Sequence, residues 1–199
     1  MRDFFGELRA RVHAAHEQAF RKFAPYAQAT FLLDTGSVWD AQDLNQELWL
    51  RVYEHADQFE GTTFQDFFMW LKANMHSVIL ETGARRQWAA PELQELPPTC
   101  SHGHGEPHAS AARRMLAGMS MLGGADRDVL IMFFYQRLSH GEASALLGIT
   151  TPEFFQRLYR ALVRFRVALS DMGPALGKID STRLGSALAD AIQTMMAAA

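Results

Sequence analysis

The 199-residue sequence has little cysteine and no long apolar run. Its one cysteine, Cys100, allows no internal disulfide, which fits a protein of the reducing cytoplasm. No apolar run approaches the roughly 20 residues that cross a membrane. The N-terminal residues also lack the apolar core of a signal peptide. We therefore expect a cytoplasmic protein that does not insert into membranes.

The alternating pattern of a half-buried β-strand is also absent over any useful length. Apolar residues recur instead at steps of three and four, as on the buried face of a helix. We predict an all-α fold with two small helical domains joined by a flexible linker. The predicted parts are a three- or four-helix bundle at 1–90, the linker at 91–112, a helix-turn-helix domain at 113–170 and a C-terminal extension at 171–199.

The predicted linker, "PELQELPPTCSHGHGEPHASAA", differs in composition from the rest of the chain. It contains four of the seven prolines and no aromatic residue. Such a segment buries too little apolar surface to offset the entropy lost on ordering. We interpret it as a tether between two working parts.

A metal site is the alternative interpretation of the same segment. Within nine residues it offers four donors that suit Zn²⁺ or Cu²⁺, namely Cys100, His102, His104 and His108. Ordering a loop that contains Gly103 and Gly105 would cost free energy, and no second ligand pair stands at a zinc-finger spacing. We prefer the tether and expect no cofactor; a metal, if bound, would serve sensing rather than catalysis.

The net charge of −3 conceals an asymmetry between the two halves. Residues 1–90 contain nine Lys and Arg against twelve Asp and Glu. Residues 113–170 contain eight Arg against four acidic residues. An acidic half joined to a basic half suggests two different partners.

The predicted helix from Val38 to Phe59 has an apolar stripe and an acidic one. The acidic residues follow at steps of three, four and seven: Asp40, Asp43, Glu47 and Glu54. A solvated face is the ordinary explanation of such a charge run. The functional alternative is a docking surface for a basic partner helix.

The next stretch, "FEGTTFQDFFMWLKAN", is unusually aromatic, and a buried core is the default explanation. Thr62 or Thr63 is expected to cap the helix that follows. Trp70 lies off the centre of the apolar stripe, beside Lys72 and Asn74, where it would suit stacking on an unpaired base. Arg85 and Arg86, at the end of the helix, would suit a DNA backbone.

A short helix, a glycine turn and a longer helix form a helix-turn-helix candidate in the second half. Ser139 and Glu142 have the spacing of a capping box. Thr151 as N-cap and Pro152 at the first helical position are expected to open the longer helix, which extends to about Leu169.

This longer helix has a polar face made of Glu153, Gln156, Arg157, Arg160 and Arg164. Arginine neutralises phosphates or pairs with guanine, and glutamine pairs with adenine. Thr151 and the helix N-terminus would suit a phosphate. The alternative is a solvated charged helix in a small bundle.

Residues beyond 170 contain one further apolar stripe, formed by Leu184, Leu188, Ile192 and Met195. The stripe is consistent with a regulatory clasp that docks on the body of the protein. It is equally consistent with a frayed terminus, and we favour the latter because chain termini are often poorly ordered.

Two segments together resemble an alternative sigma factor of bacterial RNA polymerase, of the extracytoplasmic-function type. "DAQDLNQELWLRVYEHADQFEGTTFQDFFMWLKANMHSVI" resembles region 2 of that family, and "RDVLIMFFYQRLSHGEASALLGITTPEFFQRLYRALVRFR" resembles region 4. The resemblance covers roughly 40–86 and 121–169. Both segments occur in the family's order, with a Pro/Gly linker between them.

The resemblance implies a non-enzymatic protein that directs RNA polymerase core to promoters, with an anti-sigma factor or another regulator as a further partner. The residues that would dock on the clamp helices of the largest subunit are Asp40, Asp43, Leu44 and Glu47. The residues that would hold the melted −10 element are Thr62, Thr63, Trp70, Asn74, Arg85 and Arg86. The residues that would read the −35 element are Thr151, Phe155, Gln156, Arg157 and Arg160. The polymerase flap is the second expected contact on the core enzyme.

Three features depart from the family pattern. Phe155 stands where a basic residue is common, and Pro152 replaces a small residue. The stretch 71–82 has one lysine and no arginine, fewer cations than DNA melting favours. A sigma-like adaptor or decoy that binds polymerase or a regulator without melting promoters therefore remains an alternative.

If residues 91–112 serve as a tether, titration of the full chain with Zn²⁺ at neutral pH should give no dissociation constant tighter than about 1 μM. Isothermal titration calorimetry measures this constant directly. Tighter binding that disappears in Cys100→Ser would instead establish a metal site.

Overall fold

The structure is a computed structural model that describes residues 3–86, 106–172 and 181–197. Every regular element in these ranges is helical, which confirms the predicted all-α class. The first part contains α1 (Phe4–Arg9), α2 (His13–Thr35), α3 (Val38–Glu54) and α4 (Phe64–Arg86), with a 3₁₀ turn at Ala56–Gln58. The second part contains α5 (Glu106–Ser120), α6 (Gly124–Leu130), a π-helical turn (Ile131–Tyr135), α7 (His140–Leu147), α8 (Thr151–Met172) and α9 (Ser181–Ala197). None of the described helices has the length and apolar character needed to cross a membrane.

The first part is a bundle whose largest buried side chains are mostly phenylalanine rings. α3 packs against α2 and α4, and large rings of α2 and α4 meet behind it. The centroids of the buried rings of Phe23 and Phe67 lie 5.3 Å apart. α1 closes one end, where Phe4 and Phe5 contact the ring of Phe64. Full burial of each such side chain stabilises the fold by about 1.5–3 kcal/mol, so these rings hold α3 and α4 in position.

Local hydrogen bonds and backbone turns determine where the helices of the first part begin and end. Ser37 caps α3 through a bond from the Asp40 N–H to its side-chain oxygen (3.3 Å). The chain from Phe4 to Thr35 forms two helices rather than one, because Arg11 between them has a positive φ of 57°. The Arg11 guanidinium donates to the carbonyls of Tyr53 and Glu54, at 3.1 and 2.7 Å, which secures this turn against the end of α3.

The second part corrects two interpretations of the sequence. Residues 106–112 are not linker, since α5 begins at Glu106 and Ala112 is buried. The C-terminal stripe belongs to a docked helix rather than a frayed end: α9 packs on α5 and on the π-helical turn. Leu184, Leu188 and Ile192 are at most 1% exposed. Residues 91–105 lie outside the described ranges.

A buried polar junction joins the two parts. The hydroxyl of Tyr26 in α2 donates to a carboxylate oxygen of Asp128 in α6 at 2.6 Å, and Lys72 of α4 pairs with the other oxygen. Tyr26 and Asp128 are only 1% and 6% exposed. Burial, followed by the neighbouring Asp128 charge, raises the pKa of Tyr26 well above its usual value, so Tyr26 remains a neutral donor.

Further contacts extend this junction along α2 and α4. Arg127 pairs with Asp34 at 2.6 Å. A methyl group added at Gly148, in the left-handed cap of α7, would lie 2.2 Å from the side-chain nitrogen of Gln65 in α4. The turn of the helix-turn-helix therefore rests against the first turn of α4.

Replacing Asp128 with Ala should lower the free energy of unfolding by about 3–5 kcal/mol, because Lys72 and Tyr26 lose their buried partner. Asp126→Ala, two residues earlier in α6, is the matched control. Asp126, whose side chain is 13% exposed, pairs at 2.5 Å with Arg164, whose side chain is 63% exposed. Because Arg164 stays solvated without this partner, we expect a smaller loss, about 1 kcal/mol. Urea unfolding followed by circular dichroism measures both changes; equal losses would contradict the importance of the junction.

Candidate partner-docking and nucleic-acid interfaces

One exposed strip of α3 combines acidic and apolar side chains. Its members follow at steps of three and four along the helix, and we call them the docking face: Trp39, Asp43, Glu47, Leu50 and Glu54. Trp39 is 66% exposed and Leu50 is 54% exposed. The opposite side of the helix is buried against α2 and α4, so the core fixes the direction in which this strip points.

The docking face differs in two ways from the residues expected to contact a partner. Leu44 is only 1% exposed and belongs to the core, so its assignment to the partner surface is wrong. Trp39 and Leu50 were missed, although each lies at helical spacing from Asp43. The signal that could have found them is an apolar residue that interrupts the acidic stripe.

Arg51 ties the docking face to α4. Its guanidinium donates to both carboxylate oxygens of Glu81, at 2.9 and 2.7 Å, and lies 3.8 Å from Glu47. The hydrogen bonds to Glu81 raise the pKa of Arg51, which therefore stays cationic. Asp40 lies in the first turn of α3, where its carboxylate is near the positive end of the helix dipole.

The loop before α4 is closed by a capping arrangement. The N–H groups of Thr62 and Thr63 donate to one carboxylate oxygen of Asp66, at 3.1 and 3.0 Å. The Asp66 N–H donates in return to the Thr63 hydroxyl at 3.1 Å, so Thr63 caps α4. The hydrogen bond with the Thr63 side chain contributes most to lowering the pKa of Asp66, and the two backbone N–H groups lower it further. Both threonines are exposed, with the Asp66 carboxylate on one side and the Arg9 guanidinium on the carbonyl of the preceding Gly61, at 3.2 Å.

Trp70 and Asn74 lie one turn apart on α4, and both are half-buried. The indole of Trp70 packs against the rings of Phe59 and Phe67, at 5.5 and 5.8 Å. The Asn74 side chain donates to the Trp70 carbonyl at 2.9 Å. Trp70 is therefore partly a core residue, although its side chain is not fully buried. Arg85 and Arg86 lie in the last turn of α4.

The start of α8 is capped by Thr150 rather than by the expected Thr151. The Thr150 N–H donates to Glu153 at 2.8 Å, and the Glu153 N–H lies 3.4 Å from the Thr150 hydroxyl. The first of these bonds contributes most to lowering the pKa of Glu153. A carboxylate thus already occupies part of this helix N-terminus, which weakens the expected phosphate contact there. The Ser139–Glu142 capping box of α7 is confirmed.

The outward face of α8 contains the residues expected to read DNA. Thr151, Gln156 and Arg160 are exposed, and Arg157 is half-buried. Phe155 is 50% exposed, and Tyr159, which was not among the predicted residues, is 71% exposed. Phe154, Leu158 and Phe165 anchor the inner face of the helix in the core. This is the two-sided arrangement that a recognition helix requires.

The metal alternative has no support among the described residues. Within the described ranges, no group of three or more His, Cys, Asp and Glu side chains is placed to hold a metal ion. Cys100, His102 and His104 lie outside these ranges, and the side chain of His108 is not described.

Comparison with known proteins identifies the family to which the chain belongs. No protein-family model matches the chain. The chain is 29% identical over 135 residues to the RNA polymerase sigma-E factor of Streptomyces coelicolor, covering 65% of this chain and 72% of that protein. It is 30% identical over 135 residues to the RNA polymerase sigma-E factor of Streptomyces antibioticus, covering 65% of this chain and 71% of that protein. Together with the helix-turn-helix of α7 and α8, these relationships lead to one conclusion: the chain belongs to the RNA polymerase sigma factors of the extracytoplasmic-function type.

Proposed function

We propose that the chain is an alternative sigma factor that directs RNA polymerase core to specific promoters and initiates transcription there. One arrangement carries this proposal: an exposed acidic and aromatic face on α3 and an exposed arginine-containing face on α8, in a member of the sigma family. The two faces differ in charge and suit two different macromolecules.

The docking face of α3 is proposed to bind the clamp helices of the largest polymerase subunit. Asp43 and Glu47 supply negative charge that steers and orients a basic partner helix. Trp39 and Leu50 supply apolar area beside those charges, and tryptophan is the residue most often found at the energetic centre of an interface. Asp40, at the N-terminal end of the same helix, is proposed to extend the acidic surface.

The −10 element is proposed to contact the loop before α4 and the outer side of that helix. Thr62 and Thr63 lie at the exposed loop, and the half-buried indole of Trp70 is proposed to stack on an unpaired base through its accessible part. Asn74 lies one turn beyond Trp70, and Arg85 and Arg86, in the last turn of α4, are proposed to contact the DNA backbone. Binding of the open strand in preference to the duplex would drive melting without any covalent chemistry.

The −35 element is proposed to lie in contact with α8. Thr151, Gln156 and Arg160 face outward, and Arg157 lies between them and the core. Arginines on this face neutralise phosphates or form paired hydrogen bonds with guanine, whereas Gln156 suits adenine.

Two further partners are proposed. The flap of the polymerase is the proposed contact of the second part of the molecule. An anti-sigma factor or another regulator would control the protein by covering either the docking face or the outward face of α8.

Reversing Asp43 and Glu47 to Lys should abolish co-purification with core polymerase, because like charges would then face the basic partner helix. Glu17→Lys with Asp171→Lys is the matched control, since it makes the same change in net charge at exposed sites away from α3. The helical circular dichroism of both variants should equal that of the parent. Unchanged co-purification of the α3 variant would exclude the docking face from the polymerase contact.

Replacing Arg157 and Arg160 with Ala should weaken promoter binding and lower the slope of log affinity against log salt by up to about 2, roughly one for each phosphate that is no longer neutralised. Fluorescence anisotropy of holoenzyme on duplex promoter DNA across a salt series measures this slope. Arg113→Ala with Arg114→Ala on α5 removes the same charge elsewhere and should leave the slope nearly unchanged. Equal slopes for the parent and the α8 variant would remove these arginines from the DNA interface.

A further inference from the structure

We propose that Phe155 selects a thymine in the −35 element by contact with the C5 methyl group of that base. This inference rests on the proposed function, since it assigns one specific base contact to one side chain of the recognition helix. It also gives a physical role to the apolar residue that stands where a basic residue is common in the family.

The Phe155 ring is held in one orientation by stacking on His140, which packs in turn against rings of the core. It lies 4.1 Å from the imidazole of His140, centroid to centroid, with 24° between the ring planes. His140 in turn lies 4.6 Å from Phe133 and 6.0 Å from the fully buried Phe154. Because this row begins in the core and ends at Phe155, the outermost ring is ordered before any ligand arrives.

The exposed side of the Phe155 ring is positioned to meet base edges. Phe155 lies in the second turn of α8, and residues near the N-terminus of a recognition helix are those that contact bases in the major groove. The ring remains 50% exposed despite its stacking on His140. Preordering reduces the entropy lost on binding, so even a small apolar contact contributes to affinity.

Thymine is the base whose chemistry matches this ring. In the major groove thymine presents a C5 methyl group beside its O4 acceptor, whereas guanine, adenine and cytosine present no methyl group. Phenylalanine has no hydrogen-bonding atom in its side chain, so it favours the methyl group over a base that presents only hydrogen-bonding atoms there. The neighbouring Gln156 and Arg160 are exposed and can form polar contacts with bases at adjacent positions.

Deoxyuridine substitution tests this contact, because it removes only the methyl group of a thymine. Holoenzyme made from core polymerase and the full chain first selects its preferred duplexes from a randomised pool. Each thymine in the selected −35 element is then replaced in turn by deoxyuridine, and affinity is measured by fluorescence anisotropy. Three proteins are compared: the parent, Phe155→Ala, and Val163→Ala as a control at an apolar residue 47% exposed two turns further along α8.

The parent should lose about fourfold in affinity at one thymine, which is the contribution of one buried methyl group. Phe155→Ala should bind the thymine duplex about as weakly as the parent binds the deoxyuridine duplex, with no further loss on substitution. Val163→Ala should retain the full sensitivity of the parent. Phe155→Arg should change the preferred base at that position from thymine to guanine.

Three results would overturn the inference. They are a selected element without thymine, a parent that is insensitive to every substitution, and a Phe155→Ala holoenzyme that keeps the sensitivity of the parent. If Arg157 and Arg160 still govern the salt slope, only the thymine contact fails and the proposed function stands. If the parent selects no sequence at all, both fail together.

Discussion

The buried carboxylate of Asp128 is the constraint on which the arrangement of the molecule depends. A charge that is only 6% exposed is tolerated when opposite charge and hydrogen bonds surround it, and here Lys72 and the Tyr26 hydroxyl fulfil that need. These two partners come from α4 and α2, whereas Asp128 belongs to α6. One carboxylate thus connects the bundle that presents the docking face to the segment that leads into the helix-turn-helix. The rest of α6, the π-helical turn and α7 follow directly along the chain, so their positions depend on this contact.

The same contact affects the candidate DNA surface. Lys72 is the one cation of the stretch 71–82, and it is paired with Asp128 in this structure. The described outer side of α4 therefore presents part of the Trp70 ring and polar groups such as Asn74, but little positive charge. α8 differs, because its polar face contains several arginines, of which Arg160 is exposed and Arg157 is half-buried. The positive charge that would suit promoter DNA is accordingly greater in the second part of the molecule. In both α3 and α8, an apolar stripe is buried in the core and thereby fixes the direction of the exposed face. That face is acidic on α3 and contains arginines on α8.

Much of this could be predicted from the sequence, because helical periodicity and capping are local properties. The stripes of α3 and α8, the Ser37 cap and the Ser139–Glu142 capping box could all be recognised at spacings of three and four residues. The Asp128 junction could not, since Tyr26 and Asp128 are 102 positions apart and no local pattern links them. Leu44 was misassigned because a residue at the edge of an acidic stripe can belong to either face until the neighbouring helices are known. The docking of α9 likewise depends on a complementary surface on α5 that the sequence of α9 does not specify.

Initiation at chosen sites is the property that separates a working sigma factor from a protein that only binds polymerase core. The most direct test is in vitro transcription by core polymerase on fragmented genomic DNA of the organism that encodes the chain, with and without the purified protein, followed by sequencing of RNA 5′ ends. We expect new 5′ ends that depend on the protein and share two upstream motifs at a fixed separation. Tight binding to core polymerase without any new 5′ ends would contradict promoter-directed initiation and identify the chain as an adaptor or decoy.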